Sequence, residues 1–200
     1  MVAPDITFPM ELPASFNLSE YFLDRNLEEG RGEKVAVRVG AESRTYGEIH
    51  EGVRRMAAAL RAAGVRPEER VLIVLPDGFE FVEAWFATLR IGAVFAMVNP
   101  LLKAKDYAYY LEYSRAAAVF THQSVLPEIS EALRSASACR AAFVVGEDTG
   151  GFTAYADARA GADPASEAAA VEPVGPDGIA GWLFTSGSTG EPKACVHAAR

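Results

Sequence analysis

Apolar positions along this chain switch between two spacings, and the switching predicts alternating helices and strands. Ile49, Val53, Met56 and Leu60 recur at the spacing of one helical face. They follow Thr45-x-x-Glu48, a pairing in which threonine and glutamate cap each other's backbone amides, and Gly64 predicts the stop. Val71-Leu72-Ile73-Val74-Leu75 is an unbroken apolar run ended by Pro76-Asp77-Gly78, as expected of a strand covered on both faces. Phe79, Val82, Phe86 and Leu89 mark a second amphipathic helix ending at Gly92, and Val94 to Val98 a second strand. A helix over Asp106 to Tyr113, a strand over Ala117 to Thr121, a helix over Leu126 to Leu133 and a strand over Ala142 to Val145 complete the series. Repeated βα units of this kind predict an α/β fold with a mainly parallel, doubly wound sheet.

The pattern changes at Gly146. Acidic, alanine-rich and Pro/Gly-containing sequence over 146–178 predicts a surface connection with one short helix. Residues 179–198 then read as strand, loop, strand: Ile179 to Phe184 on one side and Ala194 to His197 on the other. No internal repeat and no heptad pattern is present, and no domain boundary is predicted within 1–200.

Composition narrows the function classes. Half of the residues are hydrophobic and 23% are charged, enough apolar content to bury a core. A net charge of −8 argues against a general nucleic-acid footprint, so binding an anion requires local cations and donors. Cys139 and Cys195 do not form a disulfide framework and are expected as buried or half-buried thiols. The first residues lack the basic and apolar regions of a secretory signal, and no apolar run reaches the ~18–20 residues of a membrane span, so a cytoplasmic protein with no membrane partner is expected.

The candidate chemistry lies in Thr185-Ser186-Gly187-Ser188-Thr189-Gly190-Glu191-Pro192-Lys193. Successive small residues let backbone N–H groups converge on an anion, Ser and Thr add hydroxyl donors, and the lysine adds a full charge. It is not the P-loop of NTPases, because Glu191-Pro192 separates Gly190 from Lys193 and a strand, not a helix, follows. Neither Ser186 nor Ser188 has the flanking glycines of a hydrolase elbow, and the dinucleotide fingerprint G-x-G-x-x-G is absent.

Trp182 to Lys193, read as WLFTSGSTGEPK, resembles the signature of the adenylate-forming superfamily of acyl- and aryl-CoA ligases, luciferases and peptide-synthetase adenylation domains. Asn17 to Leu27, Thr45 to Glu48, Leu89 to Val94 and Asn99 to Leu102 resemble the front part of such enzymes in the same order. The run Tyr21 to Asn26 and the segment Asp106 to Tyr109 are most similar to benzoate-type aryl-CoA ligases, including those that take aminobenzoates.

The resemblance implies the front part of the large N-terminal domain of such an enzyme, with no C-terminal domain in these residues. It implies that a carboxylate attacks the α-phosphorus of ATP to give an acyl-adenylate, which coenzyme A then intercepts. Thr185, Ser186, Gly187, Ser188, Thr189, Gly190 and Lys193 would bind the phosphates, with Lys193 and Thr185 as the catalytic candidates. Mg²⁺ would accompany ATP, and no protein metal ligand is assigned. The partners implied are an aromatic carboxylate, ATP and coenzyme A. The adenine-contacting segment, the C-terminal adenylation lysine and most of the acyl pocket would lie in the remainder of the polypeptide or a complementary chain. Fatty-acyl-CoA ligases, carrier-protein adenylation domains, luciferase-like oxygenases and a non-catalytic nucleotide-binding module are the alternatives. His50 and His122 are expected as surface or capping residues. Relatives often carry His-x-His after the loop, whereas position 199, two beyond His197, is alanine here. Tyr107, Tyr109, Tyr110 and Tyr113 span more than one helical face, so some are expected in the core and some exposed.

Overall fold

A computed structural model describes residues 13–185 and 190–199. Near the start, a π-helical turn, Glu20–Asp24, runs into a one-turn helix, α1 (Arg25–Glu28). An antiparallel ribbon follows, β1 (Val35–Val39) with β2 (Glu42–Thr45), turned by Gly40 at φ +59°. The expected capping box is present: Thr45 accepts from the Glu48 amide, Glu48 accepts from the Thr45 amide, and α2 (Tyr46–Ala62) starts there. Gly64, at φ +81°, turns the chain beyond its end.

The remaining elements are β3 (Arg70–Val74), α3 (Phe79–Arg90), β4 (Val94–Met97), α4 (Ala104–Ser114), β5 (Ala118–His122), α5 (Leu126–Ser135), β6 (Ala141–Val145), β7 (Thr153–Ala154), α6 (Tyr155–Gly161), β8 (Ile179–Thr185) and β9 (Lys193–Ala198). Among the described residues the main sheet has the order β7-β6-β5-β3-β4-β8-β9, parallel throughout except that β9 runs antiparallel to β8. The order from β4 to β7 is that of a doubly wound sheet of the 2-1-3-4-5 type, with the direction of strand addition reversing at β3.

Strand pleating divides the core. Val71, Ile73, Phe95 and Phe120 pack with α2 and α3, whereas Leu72, Val74, Ala96 and Val119 pack with α4 and α5. That two-sided burial is why β3 reads as a continuous apolar run. Gly181 of β8 lies under the Phe95 ring, and a Cβ there would overlap the ring. Phe95 is itself wedged edge-on against Trp85 at 5.8 Å. Gly181→Ala is therefore expected to destabilise by about 1–3 kcal/mol, read as a lower Tm. An unchanged Tm would mean that Phe95 swings aside without cost.

The stretch 146–178 is more built than a surface connection. It adds β7 to the sheet edge, places α6 on α2, and buries Tyr155 and Ala169. Three arginines of α2 hold it by its carbonyls: Arg54 donates to Pro164, Arg55 to Ala162, and Arg61 to Ala168 and Ala170. Glu83, buried on α3, accepts from the Tyr155 hydroxyl at 2.7 Å and from Arg159 at 2.8 Å. Gly52 of α2 leaves the space that this carboxylate fills.

A second polar cluster ties the N-terminal segment to the sheet layer. Arg90, 3% exposed, donates to both Asp24 carboxylate oxygens at 2.8 and 3.1 Å and to the Ala169 carbonyl. His50 Nε2 lies 3.1 Å from Asp24 Oδ1, so this histidine is a half-buried polar partner of Asp24 and not the surface or capping residue expected. Burial pushes the Asp24 carboxyl up, but His50 and Arg90 more than offset it and hold it at about 2, below its ordinary 3.8. Stability from a lowered carboxylate is complete above the unfolded value and is lost as pH falls through the folded one. Urea unfolding across pH should therefore show about 2 kcal/mol lost from this cluster between about pH 4 and pH 2. In Asp24→Asn that acid limb should flatten; an unchanged limb would place the acid sensitivity elsewhere.

Candidate functional site

The loop read as phosphate-binding lies between β8 and β9, as expected. Because β8 pairs parallel with β4, Thr185 ends its strand at the carboxyl edge of the parallel sheet. That edge is where open α/β sheets present their ligand-binding loops. The chain then reverses, and β9 returns antiparallel with Lys193 directly across from Thr185. Cross-strand partners of this kind have Cβ atoms about 4.5–5.5 Å apart. The ladder thus joins the two ends of the loop, eight positions apart in sequence, into one rigid pair.

Both stem residues are exposed. Thr185 Oγ1 lies 3.5 Å from the Lys193 carbonyl oxygen, at the outer limit of a hydrogen bond, which leaves the hydroxyl available to another acceptor. Lys193 has no ion-pair partner among the described residues. Gly190 is exposed, and a Cβ there would meet none of the described residues within 4 Å. The predicted contributions of Ser186, Gly187, Ser188 and Thr189 fall outside the described residues. The stems therefore offer one unpaired cation and one hydroxyl at a sheet edge, a pair suited to an anionic ligand.

Helix α4 supports the hairpin. Tyr110 meets the Phe184 ring edge-on at 4.6 Å, and Tyr113 flanks Trp182 and Phe184 at 6.1 and 6.0 Å. The Tyr109 hydroxyl donates to the Pro192 carbonyl at 2.6 Å. Tyr107 is fully buried, its hydroxyl donating to the Asn99 carbonyl and accepting from the Leu102 amide in the turn after β4. The four tyrosines thus divide between core and surface as their spacing predicts, with Tyr107 and Tyr110 buried and Tyr113 exposed. The link from Tyr109 to Pro192 crosses 83 positions and has no local signal beyond the tyrosine content of the helix.

Other candidates have plain roles. His122 caps the short turn after β5, its Nδ1 accepting from the Ser124 amide at 3.1 Å. His197 is exposed on β9, and Ala199 is buried against the sheet. Cys139 is half-buried, and burial raises its thiol above the ordinary value. Cys195 departs from expectation: it is exposed, because β9 pairs only with β8 among the described strands. The described residues contain no group of three His, Cys, Asp or Glu side chains that could hold a metal ion. No helix among them is long and apolar enough to cross a membrane.

A family model described as AMP-binding enzyme matches residues 23–200. A 4-hydroxybenzoate–CoA/benzoate–CoA ligase of Rhodopseudomonas palustris is 35% identical over 186 residues, covering 91% of this chain and 33% of that protein. The crystal structure of an anthranilate CoA ligase in complex with anthranoyl-AMP superposes with a TM-score of 0.86 at 28% identity, over 94% of this chain and 36% of that one. A benzoate CoA ligase from Burkholderia xenovorans LB400 gives a TM-score of 0.80 at 34% identity, over 92% of this chain and 35% of that one. The chain spans about a third of the length of the curated relatives it matches.

Proposed function

We propose a function from the premise that this chain belongs to the AMP-binding enzyme family. It forms the N-terminal part of an ATP-dependent aryl-CoA ligase. In the first step a carboxylate oxygen of an aromatic acid attacks the α-phosphorus of ATP, the bond to the β-phosphate oxygen breaks, and pyrophosphate leaves. In the second, the thiolate of coenzyme A attacks the acyl carbonyl and AMP leaves. The observation that carries this reading is the pairing of Thr185 with Lys193 at the carboxyl edge of the sheet, which brings together the two ends of a glycine- and hydroxyl-rich segment and sets there a lysine with no ion-pair partner among the described residues.

The roles follow from where charge develops. Pyrophosphate gains negative charge as it departs, so donors already in place around it stabilise the transition state more than the ground state. Thr185, Ser186, Gly187, Ser188, Thr189 and Gly190 line that cradle, and Lys193 neutralises the terminal phosphates. Mg²⁺ would arrive as the ATP complex and would offset phosphate charge alongside Lys193. The aromatic choice of acid is supported by the benzoate, hydroxybenzoate and anthranilate ligases among the relatives. The cytoplasm, which supplies ATP and free coenzyme A, is the proposed setting.

Carboxylate-dependent ATP–pyrophosphate exchange on the natural polypeptide tests the reading, with benzoate, hydroxybenzoates, aminobenzoates and fatty acids as a panel. Exchange on an aryl acid, followed by thioester formation with coenzyme A, is the expected result. Exchange confined to fatty acids would reassign the substrate class. ATP binding without exchange on any acid would make this a nucleotide-binding module.

A further inference from the structure

Both stems of the loop rest on one stretch of α4. The incoming stem is held by ring contacts, with Tyr110 and Tyr113 against Phe184. The outgoing stem is held at one atom, the Pro192 carbonyl oxygen, which accepts from the Tyr109 hydroxyl at 2.6 Å. Its carbonyl carbon is bonded directly to the Lys193 peptide nitrogen. The proline ring fixes φ at residue 192, which leaves ψ as the single soft rotation before the lysine. A hydrogen bond to the carbonyl restrains that rotation. Because the peptide unit is planar, it also sets the plane from which the Lys193 Cα departs.

We propose that Tyr109 is a positioning residue for the phosphate loop, aiming Lys193 at the terminal phosphates by holding the Pro192 carbonyl. The inference rests on the reading of 185–193 as a phosphate-binding segment. Burial pushes the Tyr109 phenol up from its ordinary value, helped by the negative charge of Glu191, so it remains a protonated donor at neutral pH. Ring packing does not need the hydroxyl: Tyr109 lies 5.5 Å from both Tyr110 and Tyr113, contacts that phenylalanine would keep. Tyr109→Phe therefore removes the aim and leaves the support.

The variant is to be made in the natural polypeptide and read in two ways. In pyrophosphate exchange, kcat/KM for MgATP should fall about three- to tenfold, the loss of one hydrogen bond, with Tm and the KM for the carboxylate unchanged. In hydrogen–deuterium exchange of the nucleotide-free protein, the amides of Thr185 and Lys193, paired across the ladder, should lose protection while those of α4 and β4 keep theirs. A lower Tm with unchanged kinetics would reduce Tyr109 to packing and overturn the proposal. Wild-type kinetics together with wild-type protection would also overturn it. If the wild-type protein shows no exchange on any acid, the ligase reading fails, and the protection of Thr185 and Lys193 still decides whether Tyr109 holds these stems.

Discussion

Lys193→Ala is expected to lower carboxylate-dependent pyrophosphate exchange by about 10²–10³-fold while leaving Tm unchanged. The kinetic half of that expectation follows from charge. Lys193 stands exposed at the sheet edge with no ion-pair partner among the described residues, in a protein of net charge −8. A polyphosphate approaching such a surface meets repulsion except where fixed donors and this ammonium oppose it. The stability half follows from exposure, since truncating a solvated side chain at a strand end leaves no cavity and no unpaired group. Lys193→Arg should recover part of the rate, because it keeps the charge but moves it on a longer, planar head group. A variant that loses folding along with exchange would assign Lys193 to the hairpin and not to the phosphates.

The largest loss of stability is expected at the opposite end of the chain. Asp24→Ala should cost about 3–5 kcal/mol in urea unfolding, because it strands the Arg90 guanidinium in the protein interior. Arg90 is 3% exposed, and its other acceptor is the Ala169 carbonyl. Ala169 is fully buried as well. Replacing both partners with apolar residues, Asp24→Leu with Arg90→Met, should recover most of the loss, since no charge is then left buried. A double variant as unstable as Asp24→Ala would show that packing around residue 24, and not the stranded cation, sets the cost.

What was legible in the sequence was local. The start of α2 could be read from Thr45 and Glu48 because both partners of a capping box lie within one turn. The β8–loop–β9 hairpin could be read because its strands are contiguous and its loop has a distinctive composition. The β1–β2 ribbon has a weaker signal: Val35, Val37 and Val39 alternate ahead of Gly40, but five residues of alternation beside a longer helical pattern carry little weight. Residues 146–178 were hidden for a different reason. Alanine, glycine and proline there predict a connection, whereas the order in the segment comes from Arg54, Arg55 and Arg61, more than 100 positions earlier. Asp24, His50 and Arg90 likewise carry no shared local pattern, so an ion-pair cluster of this span appears only once the chain is folded. At the site, the stems could be placed from sequence, but the hold of Tyr109 on Pro192 could not.

The cross-strand pairing of Thr185 with Lys193 also has an entropic consequence. Bringing the two ends of a free segment together costs conformational entropy that grows with the logarithm of its length. Here the β8–β9 ladder meets that cost when the chain folds, so none of it would fall on the proposed binding of a nucleotide. On the proposed reading, more of the contact energy with a nucleotide is then left to distinguish the transition state from the ground state.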